Sequence, residues 1–330
     1  MQVFYLHQSF PMLQLYFFTL NNNMEFPIVK LEHLSHRYSI QWAIKDIDFE
    51  ITKPGIYGLL GSNGAGKSTT MNIMCGVLKQ TEGDVYIQGY SMSKDPVEAK
   101  RRIGFLPQTP PLHPDLTVTE YLTYCAGLRY VPKDKVAKAV DEVLERCHLE
   151  HFRHRLIHNL SGGYQQRVGI AQAIIHNPDL VVFDEPTNGL DPNQILDVRH
   201  LIKDIAEERT VILSTHILSE VQAICDYIHM IEQGRLVFAG TVEEFDNYIV
   251  PDSLFVSLMA MPSVEDLRRV PGVLGVEELG GPNYRIKFSD YQEVTNRLVE
   301  VSVARNWYLT EMYLEKSSMN AVFAELSKKK

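Results

Sequence analysis

The chain is expected to be an α/β protein with a mainly parallel core sheet, followed by a smaller α+β unit. Three features of the sequence carry this expectation. Two continuous apolar runs, LVVFDEP and TVILSTH, have the form of strands buried on both faces of a parallel sheet. Between them, NQILDVRHLIKDIAEE is patterned as an amphipathic helix, so strand, helix and strand alternate. Upstream, a glycine-rich segment, GSNGAGKS, joins a short apolar strand pattern to a helix pattern.

The remaining elements follow in chain order. Residues 28–60 alternate apolar and polar positions in the runs IVKLEHL, AIKDIDFEI and IYGLL, which predicts strands. TTMNIMCGVL lacks proline and predicts a helix, and EGDVYIQG predicts a strand between turns. LPQTPPLHPDLT predicts a loop, because each proline removes an amide donor and restricts the residue before it. From Val118 to Cys147 the spacing is helical, with Pro132 at the start of a second helix. The α/β body runs to about residue 245, and a boundary is expected near Tyr248–Pro251. Beyond it come strand (SLFVSLM), helix (SVEDLRRV), strand (VLGVEEL), turn (GGPN), strand (YRIKF), helix (YQEVTNRLVEVSVA) and strand (WYLTEMYLE). That βαββαβ order matches a small ferredoxin-like unit, and SMNAVFAELSK closes the chain as a helix. The expected domains are therefore 24–247 and 248–330. Residues 1–23 are apolar and aromatic, with neither a basic start nor a small-residue cleavage site. They are expected to be an over-called extension ahead of a start at Met24, a membrane-surface or partner-binding segment being the alternative.

Composition limits the function. Of the 330 residues, 45% are hydrophobic and 22% charged, which excludes disorder and collagen-like repeats. Asp and Glu number 41 against 32 Lys and Arg, a net charge of −9, so binding of nucleic acid through the overall field is disfavoured. Cys75, Cys125, Cys147 and Cys225 form no CxxC pair, which predicts reduced thiols in a cytosolic protein rather than a disulfide framework or zinc ribbon. No apolar run approaches the ~20 residues of a membrane span. A role at a membrane therefore needs a second chain to cross it.

Gly61-Ser62-Asn63-Gly64-Ala65-Gly66-Lys67-Ser68 satisfies GxxxxGK[ST] between a strand and a helix. Its glycines let backbone N–H groups converge on phosphate oxygens, and the helix N-terminus adds a positive dipole end. Lys67 brings a compact charge to the β- and γ-phosphates, the Ser68 hydroxyl suits Mg2+, and Thr69 lies one residue deeper. Asp184 ends the strand LVVFD, where its carboxylate reaches the Mg2+ shell beside Ser68. Glu185 follows as the group to orient and deprotonate an attacking water.

Leu160-Ser161-Gly162-Gly163-Tyr164-Gln165-Gln166-Arg167 lies between these motifs. Here the chain resembles the ATP-binding subunits of ABC transporters, whose signature is LSGGQ-like, with Tyr164 in place of the usual Gln. The resemblance spans about residues 28–245. It implies a P-loop NTPase of ABC-ATPase type, with an N-terminal antiparallel β region and a helical subdomain. It implies that Ser161, Gly162 and Gly163 reach the nucleotide held by a second subunit. By the same resemblance, Tyr38 stacks on adenine and Gln108 in GFLPQ senses Mg2+ or the attacking water. Asp191 in NGLDP bridges the two subunits, and His216 in LSTH contacts the γ-phosphate and positions the base. PPLHPDLT meets the coupling helices of a membrane subunit. The implied cofactors are ATP and Mg2+. The implied partners are an integral-membrane permease and a second ATPase subunit, identical or paralogous, with no nucleic acid. The implied location is cytoplasmic, peripheral on the inner face of the membrane. GLLGSNGAGKSTT and SSMNAVFAELS resemble the type-2 exporter subgroup, which includes gliding-motility-associated ATPases. Export is therefore expected, with an importer ATPase subunit or a soluble ABC ATPase as alternatives. A small-molecule kinase would share the phosphate loop but not the signature. His148, His151, His154 and His158 could share a helix face and bind metal, but a solvated polar stretch is expected instead.

Overall fold

A computed structural model describes residues 26–249, 251–315 and 318–328. The extension expected at 1–23 and the start expected at Met24 lie outside these residues. The chain divides into two compact units between Ala239 and Gly240.

In the first unit, β1 (Val29–Tyr38) and β2 (Gln41–Ile51) form a hairpin and β3 (Ile56–Leu60) leads to α1 (Lys67–Met74). There follow β4 (Glu82–Ile87), β5 (Tyr90–Ser91), α2 (Pro96–Arg101) and β6 (Ile103–Leu106). Three longer helices come next, α3 (Val118–Leu128), α4 (Val136–Arg146) and α5 (Gly162–Ile174). The rest is β7 (Leu180–Asp184), α6 (Pro192–Ala206), β8 (Thr210–Thr215), α7 (Leu218–Ile224), β9 (Tyr227–Glu232) and β10 (Arg235–Thr241). One sheet is antiparallel, in the order β2-β1-β4-β5. The other runs β10-β9-β3-β8-β7-β6, and β9, β3, β8, β7 and β6 pair in parallel.

The apolar runs form strands because β3, β7 and β8 are buried along their whole length. Alternate side chains of β7 serve two cores. Val181 and Phe183 join Val168, Ile170 and Ala171 of α5, while Val182 packs in the core that contains Leu31, Ile47 and Val85 of the antiparallel sheet. The helical segment begins at a capping box, in which the Thr117 hydroxyl accepts from Glu120 N and the Glu120 carboxylate accepts from Thr117 N.

One expectation needs correction. Pro132 does not start α4. Its carbonyl accepts the Lys135 N–H at 2.8 Å, closing a turn, and the helix begins at Val136. The alternative set aside for the four histidines, a shared helix face, does not form. His148 has φ 54°, and His151 and His158 fall in separate 3-10 turns, Glu150–Phe152 and Ile157–Asn159.

The second unit contains α8 (Val242–Asp246), β11 (Ser253–Leu258), α9 (Val264–Arg268), β12 (Val273–Gly280), β13 (Asn283–Phe288), α10 (Tyr291–Ala304), β14 (Leu309–Leu314) and α11 (Met319–Lys328). Its antiparallel sheet has the order β12-β13-β11-β14 and a core of its own, including Leu254, Val256, Ile286, Leu298 and Trp307. The division between units lies upstream of Tyr248–Pro251 because α8, with Phe245 fully buried, packs against α11. No described helix is long and apolar enough to cross a membrane.

Candidate nucleotide site

The phosphate loop leaves β3 at Gly61, where the backbone runs so close to β9 that a Cβ would stand 2.0 Å from the Ile231 carbonyl oxygen. Only glycine fits there. The loop is also fastened from behind. Ser62 donates its N–H to Glu232 Oε2 at 3.2 Å and its hydroxyl to Oε1 at 2.6 Å. Gly234 N donates to the Ala65 carbonyl at 2.9 Å. Gln233 and Gly234, both at positive φ, form the two-residue turn from β9 to β10.

Lys67 opens α1, and its Nζ donates to the Gly61 and Ser62 carbonyls at 2.9 and 3.0 Å. Burial lowers its pKa, against the opposing pull of Glu185, Asp184 and Glu232. A phosphate gives this confined ammonium a stronger acceptor than two neutral carbonyls.

The ends of β7 and β8 supply the acidic side of the site. Asp184 pairs with Ser214 across the parallel ladder, and Ser214 Oγ donates to Asp184 Oδ1 at 2.5 Å. The Ser68 hydroxyl reaches the same oxygen at 3.3 Å. Ser214 Oγ also accepts the Glu185 N–H at 2.9 Å, which fixes Glu185 at φ 49°. The Glu185 carboxylate is held on both oxygens. Gln108 Nε2 and Asn188 Nδ2 donate to Oε2 at 2.9 and 3.2 Å, and His216 Nδ1 lies 3.0 Å from Oε1.

Asn63, Gly64, Gly66, Lys67, Ser68, Thr69, Gln108, Glu185 and His216 share one cavity of about 490 Å3 with Ala43 and Asn188. Gly61, Ser62, Ala65 and Asp184 are not on its wall and support it through the bonds above. The fold leaves other expected residues apart from this cavity. Tyr38 is exposed at the end of β1, its ring edge-on to His36 at 4.7 Å, and Ala43 of β2 reaches the wall instead. Ser161 precedes α5 with no capping bond from its side chain, Gly162 faces open space, and Gly163 packs close to Gln194. Asp191 caps α6, accepting from Asn193 N and Gln194 N, both at 3.0 Å. A wider cleft of about 1110 Å3, lined by α4, shares none of these residues. Sequence reasoning passed over Asn188, Ser214, Glu232 and Ala43. Glu232 carried a signal, since like Asp184 it is an acid ending an apolar strand.

Residues 44–188 match the ABC transporter family. A bacitracin transport ATP-binding protein of Bacillus licheniformis is 39% identical over 212 residues, covering 64% of this chain and 68% of the relative. The chain belongs to the ATP-binding subunits of ABC transporters. A linearmycin resistance ATP-binding protein of Bacillus subtilis is 28% identical over 305 residues, 91% of this ABC subunit and 98% of the relative, so the likeness extends past the first unit. An ATP-binding cassette solved as a dimer in a post-hydrolysis state with ADP and Pi superposes with a TM-score of 0.59, at 29% identity, over 65% of this chain and 98% of that one. The chain is thus an ATP-hydrolysing ABC subunit, and its α/β fold is that of the ABC cassettes.

Proposed function

We propose that this subunit hydrolyses ATP with Glu185 as the base and drives an export permease carried on a separate chain. One observation carries the assignment of the base. The Glu185 carboxylate is gripped on both oxygens by Gln108, Asn188 and His216 at the wall of the phosphate-loop cavity. Such a grip aims a carboxylate at a water in line with a γ-phosphate. Lys67 and the loop 61–69 hold the phosphates. The hard oxygen donors Ser68 Oγ and Asp184 Oδ1, 3.3 Å apart, suit Mg2+, with the Gln108 amide oxygen as a third ligand. Bound Mg2+ supplies neutralisation of phosphate charge. His216 orients Glu185 and takes up contact with the γ-phosphate, and Tyr38 stacks on the base.

Ser161, Gly162, Gly163 and Asp191 lie off the chain's own cavity and remain available to a second ATPase subunit, each completing the other's site. The neighbour solved as a dimer supports that arrangement. The bacitracin transport and linearmycin resistance relatives support export, and the motifs GLLGSNGAGKSTT and SSMNAVFAELS favour the type-2 exporter subgroup. The strand order β12-β13-β11-β14 supports a ferredoxin-like fold for the second unit, which follows the ATPase unit in the chain. The location is peripheral, on the cytoplasmic face of the membrane.

Glu185→Gln tests this reading. The variant is expected to bind ATP without turning it over and, purified from native membranes with ATP and Mg2+, to bring down a polytopic membrane protein. Co-purification of a substrate-binding protein with the permease would indicate import. Ribosomal proteins or DNA without a membrane protein would overturn the transport reading.

A further inference from the structure

Glu220 sits in the first turn of α7 and is 3% exposed. A buried carboxylate is costly unless its oxygens are hydrogen-bonded. Here the two oxygens serve different segments. Thr187 Oγ1 donates to Oε1 at 2.5 Å, and Thr215 Oγ1 donates to Oε2 at 2.7 Å. Arg199 Nη2, from α6, stands 3.7 Å from Oε1. Both threonines are themselves buried.

The positions of these threonines matter more than their number. Thr187 lies in the turn that carries Glu185 and Asn188, closed by the Asn188 N–H donating to the Glu185 carbonyl at 3.1 Å. Thr215 is the last residue of β8 and immediately precedes His216, and its hydroxyl accepts the Ile217 N–H at 3.0 Å. Each segment bound by Glu220 therefore presents, one residue later, a side chain that contacts Glu185. Asn188 contacts Oε2 and His216 contacts Oε1.

We propose that Glu220 is a positioning residue for ATP hydrolysis, clamping the 185–188 turn to the end of β8 so that Asn188 and His216 meet the Glu185 carboxylate from its two sides. The proposal rests on Glu185 being the base. Glu220 is not on the cavity wall and acts through its neighbours. Glu220→Ala leaves two buried hydroxyls without their acceptor and frees the two segments to part. Glu220→Gln keeps the shape and one acceptor oxygen, and its amide nitrogen can donate to the other threonine Oγ1.

A misplacement of about 1 Å in reacting groups costs about 10²-fold in rate. The phosphate loop, fastened to β9 through Glu232, is untouched by this change, so ATP binding is spared. The test is steady-state ATP hydrolysis by the full chain as Glu220→Ala, Glu220→Gln, Glu185→Gln and the Glu185→Gln/Glu220→Ala double variant, with Tm recorded for each. Glu220→Ala is expected to lose about 10²-fold in kcat at unchanged KM. Glu220→Gln should recover most of that loss, and the double variant should be no slower than Glu185→Gln alone. Unchanged kcat in folded Glu220→Ala, KM rising with the fall in kcat, or multiplying losses in the double variant would overturn the clamp. If Glu220→Ala does not fold, Thr187→Val and Thr215→Val, each removing one bridge, carry the same kcat-against-KM test. Wild-type turnover by Glu185→Gln would overturn the base and the clamp together. A dead Glu185→Gln beside an active Glu220→Ala would overturn the clamp alone.

Discussion

Glu185 occupies the left-handed region at φ 49°, a conformation that costs a non-glycine residue about 1–3 kcal/mol. Ser214 holds it there, and the result is a carboxylate turned into the cavity instead of along the strand. Replacing Glu185 by Gln is expected to lower the hydrolysis rate by about 10²–10⁴-fold, the usual worth of a general base, with ATP affinity retained. Phosphate release against fluorescent-nucleotide binding separates the two. A second residue-scale prediction concerns pH. His229 is stacked on Phe49 at 4.4 Å, and burial pushes its pKa down to about 4. In the unfolded chain a histidine titrates near 6.5. Between these values the unfolded state binds the proton and the fold does not, so this contribution is complete above pH 6.5 and is lost as pH falls toward 4. At full extent it is on the order of 3 kcal/mol. His229→Phe keeps the stack and should flatten this part of the Tm-against-pH curve.

At the scale of elements, the phosphate loop is legible as a motif, but its anchorage is not. The spacing of Gly61, Gly66 and Lys67 announces a phosphate cradle. The contact that fastens it, Ser62 on Glu232, joins residues far apart in sequence. Glu232→Ala removes a charged acceptor of two hydrogen bonds, worth about 1.5–3 kcal/mol for such a bond. The expected result is ATP binding weakened by about tenfold or more, with kcat less affected, measured by nucleotide titration. Gly61→Ala should abolish binding, because its Cβ would collide with the Ile231 carbonyl and push the loop off β9. The start of α4 differs from the expected one for a related reason. Pro132 suits a helix start, but its carbonyl is taken by the Lys135 amide in a turn, and the α4 side chains that pack in the core, Val140, Val143 and Leu144, lie further on.

At the scale of the whole molecule, each unit encloses its own core, so two unfolding transitions are expected in calorimetry. With ATP held at the phosphate-loop cavity as proposed, nucleotide at a hundred times its Kd should raise the first unit's transition by about 2.7 kcal/mol while leaving the other in place. A single transition moved as a whole by ATP would show that the units unfold together. The strands β1–β4, β7 and β8, the helices α1 and α6, the βαββαβ order of the second unit, the phosphate loop and the acid ending β7 were legible in the chain, because each is written in local periodicity or spacing, whereas β6, β9 and β10 were not marked by it. So was the family, carried by motifs in a set order. Folding alone brought Asn188, Gln108 and His216 onto one carboxylate, put Ser214 beneath Asp184, and left Tyr38 and the signature residues off the cavity wall. Those outcomes depend on parallel pairing of β7 with β8 and on connections through distant loops, and no local pattern encodes the meeting of residues that only a sheet makes neighbours.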